Sequence, residues 1–351
     1  MHSAMRSKAY KKIVIVVFLV LLLAVAGVPA YYWLRYPYHV QHAEQTSLST
    51  HCWQPLALVM KGHPRLAEER LLAIDCEAYH GNWAEVQRLT TACQGSDYMA
   101  YYHNLSLAHQ GHLADSLMHH YAPFERALFL PVDENGNYKL FLAASEAWWA
   151  VGDLTMAEHA TMLGMIFSPR HTGSRALRRL AEINIAQGDS AAAQKYLRML
   201  KQCPQHRTWA QQQEQRLPGL QLRDGLDTLR LSLQYQKSLR NVLDNNSHNV
   251  MAQEYLFCLD LLLKDLYSFR HDVERYGHLP SRLYEEAILI LMVGEEQLRE
   301  EWHDYVSDQT YEDFMRFNQL MSQGDKRALA QYRETYWYYH QFAQRNEKPK
   351  E

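Results

Sequence analysis

Apolar residues recur at helical spacing along most of the chain, and short polar turns that begin with glycine separate them. The clearest unit covers residues 141–169, where Phe141, Ala144 and Trp148 precede a Gly152-Asp153 turn. A second apolar stretch follows the turn and ends at a proline. Because residues three or four apart share one face of an α-helix, this pattern predicts two antiparallel helices joined by a tight turn.

The same unit recurs at an offset of 36 residues. The corresponding positions are Phe141 and Leu177, Gly152 and Gly188, and Asp153 and Asp189. Glycine adopts the positive φ that ends the first helix, and the aspartate that follows it caps the second helix. The predicted turn glycines are Gly81, Gly111, Gly152 and Gly188. Such hairpins bury their apolar faces only against neighbouring hairpins, which favours a solenoid.

We therefore expect an all-α fold, namely an irregular array of α-α hairpins. Repeats of this kind cover residues 63–217, and a Leu217-Pro218-Gly219 break follows them. A second helical subdomain is predicted for residues 218–345. Within it, an aromatic run at 336–339 is expected to dock onto the body as a terminal cap. The charged tail 346–351 is predicted to be disordered.

Residues 13–34 form an apolar run of 22 residues without a charge. A helix of this length spans about 33 Å, which is enough to cross a bilayer. Basic residues concentrate in the preceding tail 1–12, so we expect that tail to be cytoplasmic and the run to be a signal anchor. Residues 35–62 then form a juxtamembrane segment, and the body lies outside the cytoplasm. A signal peptide cleaved after Ala30 is the alternative.

Two resemblances to known families add to this interpretation. Residues 65–204 resemble tetratricopeptide repeats, with the best match in the unit at 141–169. The C-terminal third resembles an uncharacterised family of bacteroidete membrane proteins, through Ala252-Gln253-Glu254-Tyr255-Leu256, Leu279-Pro280, Tyr284-Glu285-Glu286-Ala287 and Thr335-Tyr336-Trp337-Tyr338-Tyr339. That family has no assigned activity. The second resemblance implies a Gram-negative cell, with the anchor in the inner membrane and the body in the periplasm.

The charge distribution argues against a nucleic-acid partner. The net charge is −3, but the residues before Tyr36 include five basic and no acidic ones, so the body is more acidic than the whole chain. Five cysteines include no C-x-x-C pair. Cys76 and Cys93 fall on the two arms of one predicted hairpin, where either a disulfide bridge or two buried thiols fit the sequence.

The histidines and carboxylates do not form a recognisable catalytic or metal-binding motif. His109 and His112 flank the turn at Gly111, and His271 and His278 could share a helix face with Glu274. Neither spacing matches a zinc site. We therefore expect no metal and no cofactor, and the sequence favours a protein that is not an enzyme.

The adjacent residues Trp148 and Trp149 point about 100° apart on a helix, so they cannot face the same way. In the repeat pattern Trp148 is the packing position. Trp149 is then predicted to line a groove with Tyr101 or Tyr102, and these three are the candidate partner-binding residues. The other interpretation is that both tryptophans fill the space between hairpins.

The sequence thus predicts a membrane-anchored, extracytoplasmic scaffold that binds a protein or peptide partner. The alternative is a sensor or enzyme that acts on a small envelope ligand in an aromatic groove.

Overall fold

The computed structural model describes residues 14–22, 66–91, 96–133, 136–169, 171, 173–219, 234–325 and 327–344. Several predicted features lie outside these residues. They are the tail 1–12, most of the apolar run 13–34, the position of cleavage at Ala30, the segment 35–62, Cys93 and the tail 346–351.

The described part of the chain is all-α, and no strand occurs within it. Its helices are α1 (14–22), α2 (Leu66–Tyr79), α3 (Trp83–Thr91), α4 (Asp97–His109), α5 (Leu113–Ser116), α6 (Tyr138–Val151), α7 (Leu154–Ile166), α8 (Ser174–Gln187), α9 (Ser190–Leu200), α10 (Pro204–Glu214), α11 (Tyr235–Asn245), α12 (Val250–Leu262), α13 (Leu266–Tyr276), α14 (Arg282–Gly294), α15 (Glu296–Trp302), α16 (Asp308–Gln323) and α17 (Tyr336–Phe342). Short 3₁₀ turns connect several of them. The all-α expectation is confirmed.

Helix α1 covers part of the apolar run, and its side chains are exposed. Among the described residues, no helix combines the length and the apolar character that a membrane crossing requires.

Consecutive helices pack in pairs: α2 on α3, α6 on α7, and α8 on α9. Gly152 ends α6 with a φ of 87°, and Asp153 then accepts a hydrogen bond from Met156 N at 2.9 Å. Gly188 and Asp189 repeat this arrangement between α8 and α9, with a φ of 81° at the glycine. The predicted capping role of both aspartates is confirmed. Gly81 and Gly111 have φ values of 75° and 74°.

The pairs stack through buried side chains. Trp148 on α6 is fully buried and stacks on Phe129, with 4.3 Å between the ring centroids. Phe129 also stacks on Tyr235 of α11, at 4.9 Å. One buried cluster therefore includes Trp148 from the first half and Tyr255 from the second half. The core is continuous across the break at Leu217-Pro218-Gly219.

Helix α12 lies at the centre of the second half and is tied to the first. Asn249 caps α12 by accepting from Ala252 N, while its Nδ2 donates to the carbonyl of Val151 at 2.8 Å. Glu254 accepts from Ala114 N at 3.1 Å. Side chains at the start and in the interior of α12 thus satisfy backbone groups at helix ends of the first half.

The aromatic run at the C-terminus docks on α14. Tyr336 and Trp337 are buried, and the indole N–H of Trp337 donates to the carbonyl of Glu286 at 2.9 Å. Tyr339 reaches the carbonyl of Leu262 at the end of α12.

We expect Gly152→Ala to lower the free energy of unfolding by about 1–2 kcal/mol, because an L-residue at positive φ is strained. Gly219→Ala is the matched control, since Gly219 has no positive φ and a Cβ there meets no atom of the described residues within 4 Å. The measurement is denaturant unfolding of both variants in the same buffer and detergent. Equal stability of the two variants would contradict the turn geometry.

Candidate functional site

An open groove lies where the α2–α3 turn faces α6 and α8. Its volume is about 290 Å³. The side chains that define it are Tyr79, Trp83, His109, Trp149, Arg178 and Arg179, and we call it the Trp149 groove. Glu146 and Glu182 also line it, together with Ala78, His80 and Gly81.

Beneath the groove, a buried ion network joins α2, α6 and α8. Arg175 on α8 is 1% exposed and pairs with both Asp75 on α2 and Glu146 on α6. Its distance to Glu146 Oε1 is 2.9 Å. Tyr102 on α4 donates its hydroxyl to Asp75 at 2.6 Å. A buried charge is tolerated only when it is paired, so these four helices are held in one relative position.

Arg179 extends the network to the groove surface. Its guanidinium donates to Glu146 Oε2 at 2.6 Å and to Glu182 Oε2 at 3.0 Å. Arg178 donates to the other oxygen of Glu182, also at 3.0 Å. Both carboxylates therefore accept a charged hydrogen bond at each oxygen.

Aromatic rings cover these arginines. The guanidinium of Arg179 lies 4.8 Å from the ring centroid of Trp149, and that of Arg178 lies 5.6 Å from Tyr79. Trp83 and His109 stack face to face, with 3.8 Å between the centroids. Such contacts contribute about 0.5–2 kcal/mol each when partly desolvated, and they fix flat surfaces along the groove wall.

The charges of the groove are set by burial and by neighbouring groups. Burial alone would raise the pKa of Glu146, but Arg179 and Arg175 hold it below its ordinary value. Burial lowers the pKa of His109 against the attraction of Glu146. At neutral pH the glutamate is ionised and this histidine is uncharged.

Of the three predicted partner-binding residues, only Trp149 lines the groove. Trp149 is half-buried and lines the groove, whereas Trp148 is fully buried. Tyr101 and Tyr102 do not share the groove, and the prediction for them is corrected. Both are fully buried, because α4 is covered on all sides by its neighbours. The Tyr101 hydroxyl donates to the carbonyl of Ala143 at 2.6 Å and accepts from Ala147 N.

The histidines considered for metal binding take part in other contacts. His109 stacks on Trp83, and His278 stacks on Tyr305 with 4.4 Å between centroids. Within the described ranges, no group of three or more histidine, cysteine, aspartate or glutamate side chains is placed to hold a metal ion. Cys76 is buried in α2.

A second cavity, of about 330 Å³, lies between α5, α14 and the start of α17. Its central side chain is Glu286, and burial raises the pKa of this carboxyl to about 7. Both oxygens of Glu286 are already bonded, one to Arg282 Nε at 3.0 Å and the other to Tyr336 N at 2.6 Å. This carboxyl group therefore has a structural role in seating α17.

Sequence reasoning missed the ion network and the arginines of the groove. The available signal was an acidic residue in an apolar stretch, namely Asp75 between Ile74 and Cys76, and Glu146 as the sole acid of α6. A charge in such a position needs a buried partner. Three arginines on α8, at positions 175, 178 and 179, supply the partners.

The fold and the site define an all-α protein with a groove that is lined by aromatic rings and by paired arginine and glutamate side chains. The chain belongs to a family of unknown function (DUF6057), which it matches over residues 9–343. No curated protein and no solved structure matches the chain.

We expect Arg175→Met to lower the free energy of unfolding by about 3–5 kcal/mol, because it leaves Asp75 and Glu146 buried without their shared cation. Arg178→Met is the matched control on the same helix. Arg178 is part-exposed and pairs with Glu182, so its loss should cost about 1 kcal/mol or less. Denaturant unfolding of both variants provides the comparison. A similar loss of unfolding free energy in the two variants would contradict the larger contribution of the buried network to stability.

Proposed function

We propose that this chain is a helical-repeat scaffold that binds a protein or peptide partner in the Trp149 groove. The observation that carries the proposal is a half-buried tryptophan on a wall whose position is fixed by a buried ion network. Rigid aromatic anchors beside arginine are typical of binding hot spots. The stacked helical hairpins and their resemblance to tetratricopeptide repeats support the same role, since such arrays present extended binding surfaces.

We further propose that residues 13–34 anchor the chain in the inner membrane, with a cytoplasmic N-terminus and a periplasmic body. The length of the uncharged run and the basic residues before it support this arrangement. The family match begins at residue 9 and so includes the run. The lipid bilayer is then one partner of the chain, and the occupant of the groove is the other.

A small-ligand sensor or enzyme is the second candidate, because the groove contains a buried carboxylate at Glu146. This carboxylate is held ionised by two arginines, and each of its oxygens already accepts a hydrogen bond. A general acid needs a proton to give at the working pH, and a general base needs a free oxygen. Glu146 meets neither need, so binding of a partner is favoured over catalysis.

Trp149→Ala should reduce partner recovery at least tenfold when the full-length protein is purified gently from detergent-solubilised membranes. The reason is the loss of the aromatic anchor in the groove. Tyr267→Ala is the control, because Tyr267 is an aromatic residue on α13 that is 85% exposed and lies outside the groove. Both variants should keep a melting midpoint within about 5 °C of the wild type. Equal recovery with both variants would rule out the groove as the binding site.

A C-terminal alkaline phosphatase fusion tests the orientation, because this enzyme is active only outside the cytoplasm. We expect an active fusion to the full chain and an inactive fusion to a chain that starts at residue 35. The second result shows that the activity depends on the apolar run. An inactive full-length fusion that is expressed at the same level would reverse the proposed orientation.

A further inference from the structure

The Trp149 groove contains a buried donor, Arg179 Nε, for which the described residues supply no acceptor. Arg179 is 6% exposed, and its Nε atom has no hydrogen-bond partner in the part of the chain that the structure describes. A buried donor left unpaired costs about 1–3 kcal/mol, so such atoms are rare in folded proteins. A ligand oxygen that accepted from this atom would recover that free energy.

The groove does not supply an acceptor for this donor from its own carboxylates. Glu146 accepts from Arg175 at one oxygen and from Arg179 at the other. Glu182 accepts from Arg178 and from Arg179 in the same way. The carboxylates thus accept from terminal nitrogens of Arg175 and Arg179 and from Nε of Arg178, and Arg179 Nε is left without an acceptor among the described residues.

The acceptor that suits this donor is uncharged. Among the ion pairs that the structure describes here, three arginines on α8 pair with three carboxylates, namely Asp75, Glu146 and Glu182, so the formal charges of these pairs cancel. The lowered pKa of His109 leaves that neighbour neutral at pH 7. A further carboxylate would meet Glu146 and Glu182 at short range, where the three described arginines are already paired with carboxylates. A carbonyl oxygen of an amide accepts equally well and brings no charge.

The ring of Trp149 determines which ligand group can pack beside the accepting oxygen. The ring of Trp149 stands 4.8 Å from the Arg179 guanidinium, and Trp149 is itself half-buried at the groove surface. Because Arg179 Nε is buried, a ligand oxygen could reach it only after a side chain at the groove surface had moved aside. The volume of about 290 Å³ is at the lower end for ligand pockets, which suits one peptide group with one adjoining side chain.

We propose that the Trp149 groove recognises an uncharged segment of peptide, in which a backbone carbonyl accepts from Arg179 Nε and an apolar side chain packs on Trp149. This inference rests on the proposed function and adds the chemistry of the partner. It predicts that acidic peptides and free chain termini are disfavoured.

The test is affinity selection on the full-length protein in detergent. The probe is a pool of N-acetylated, C-amidated hexapeptides with apolar and aromatic residues. A second pool has the same sequences with a free C-terminal carboxylate, and a third has one aspartate in each peptide. Retained peptides are identified by mass spectrometry. We expect blocked neutral peptides to be enriched about tenfold over either charged pool, and their binding to change the tryptophan fluorescence.

Arg179→Lys keeps a cation for Glu146 but removes the Nε donor. We expect it to reduce retention of the neutral peptides about tenfold, which is the effect of one lost hydrogen bond to a charged group. Arg270→Lys is the matched control, because Arg270 pairs with Glu274 on α13, away from the groove. If Arg179→Lys does not fold, the preference of the wild type for neutral over charged peptides is the deciding result.

The outcomes separate this inference from the proposed function. A preference for acidic peptides that Trp149→Ala abolishes would overturn the uncharged ligand and keep the groove as a peptide site. Equal retention by Arg179→Lys and wild type would overturn the role of Nε. Retention of no peptide, or of a pool of envelope oligosaccharides instead, would overturn both.

Discussion

The structure depends on one buried contact, in which the guanidinium of Arg175 lies between the carboxylates of Asp75 and Glu146. The three residues come from three helices, and all are almost fully buried. Removing the charges from water is costly, and only the complete set of partners offsets that cost. The positions of α2, α6 and α8 are therefore coupled, although their apolar contacts alone would tolerate small shifts.

The groove is a consequence of this coupling. Arg178 and Arg179 continue α8 from the buried network to the surface, where Glu182 and the aromatic rings of Trp149 and Tyr79 fix their side chains. Because the paired charges cancel, the groove offers hydrogen bonding and flat apolar surface and does not offer a strong field. Such a surface suits recognition of a neutral partner better than electrostatic capture of a charged one.

The parts of the fold that depend on neighbouring residues could be predicted from the sequence. Gly152 and Asp153 define a turn locally, since glycine supplies the positive φ and aspartate caps the next helix. The different orientations of Trp148 and Trp149, about 100° apart, follow from helix geometry. Tyr101 and Tyr102 could not be placed in this way, because both flanks of α4 are covered by helices that the local pattern does not identify.

The ion network could not be predicted because its partners are distant in the chain. Arg175 and Asp75 are 100 residues apart, and no spacing rule relates them. An acidic residue in an apolar stretch indicates a buried partner but does not identify it. The lack of an acceptor for Arg179 Nε among the described residues also could not be predicted. It follows only from the positions of all the donors and acceptors of the network in the folded protein.

Native-state hydrogen exchange, read helix by helix, tests most directly the claim that the buried network makes α2, α6 and α8 one unit. If the network couples them, the most protected amides of the three helices should open with the same free energy and respond equally to denaturant. The account would be contradicted if α2 exchanged through a separate, lower-energy opening while α6 and α8 stayed protected.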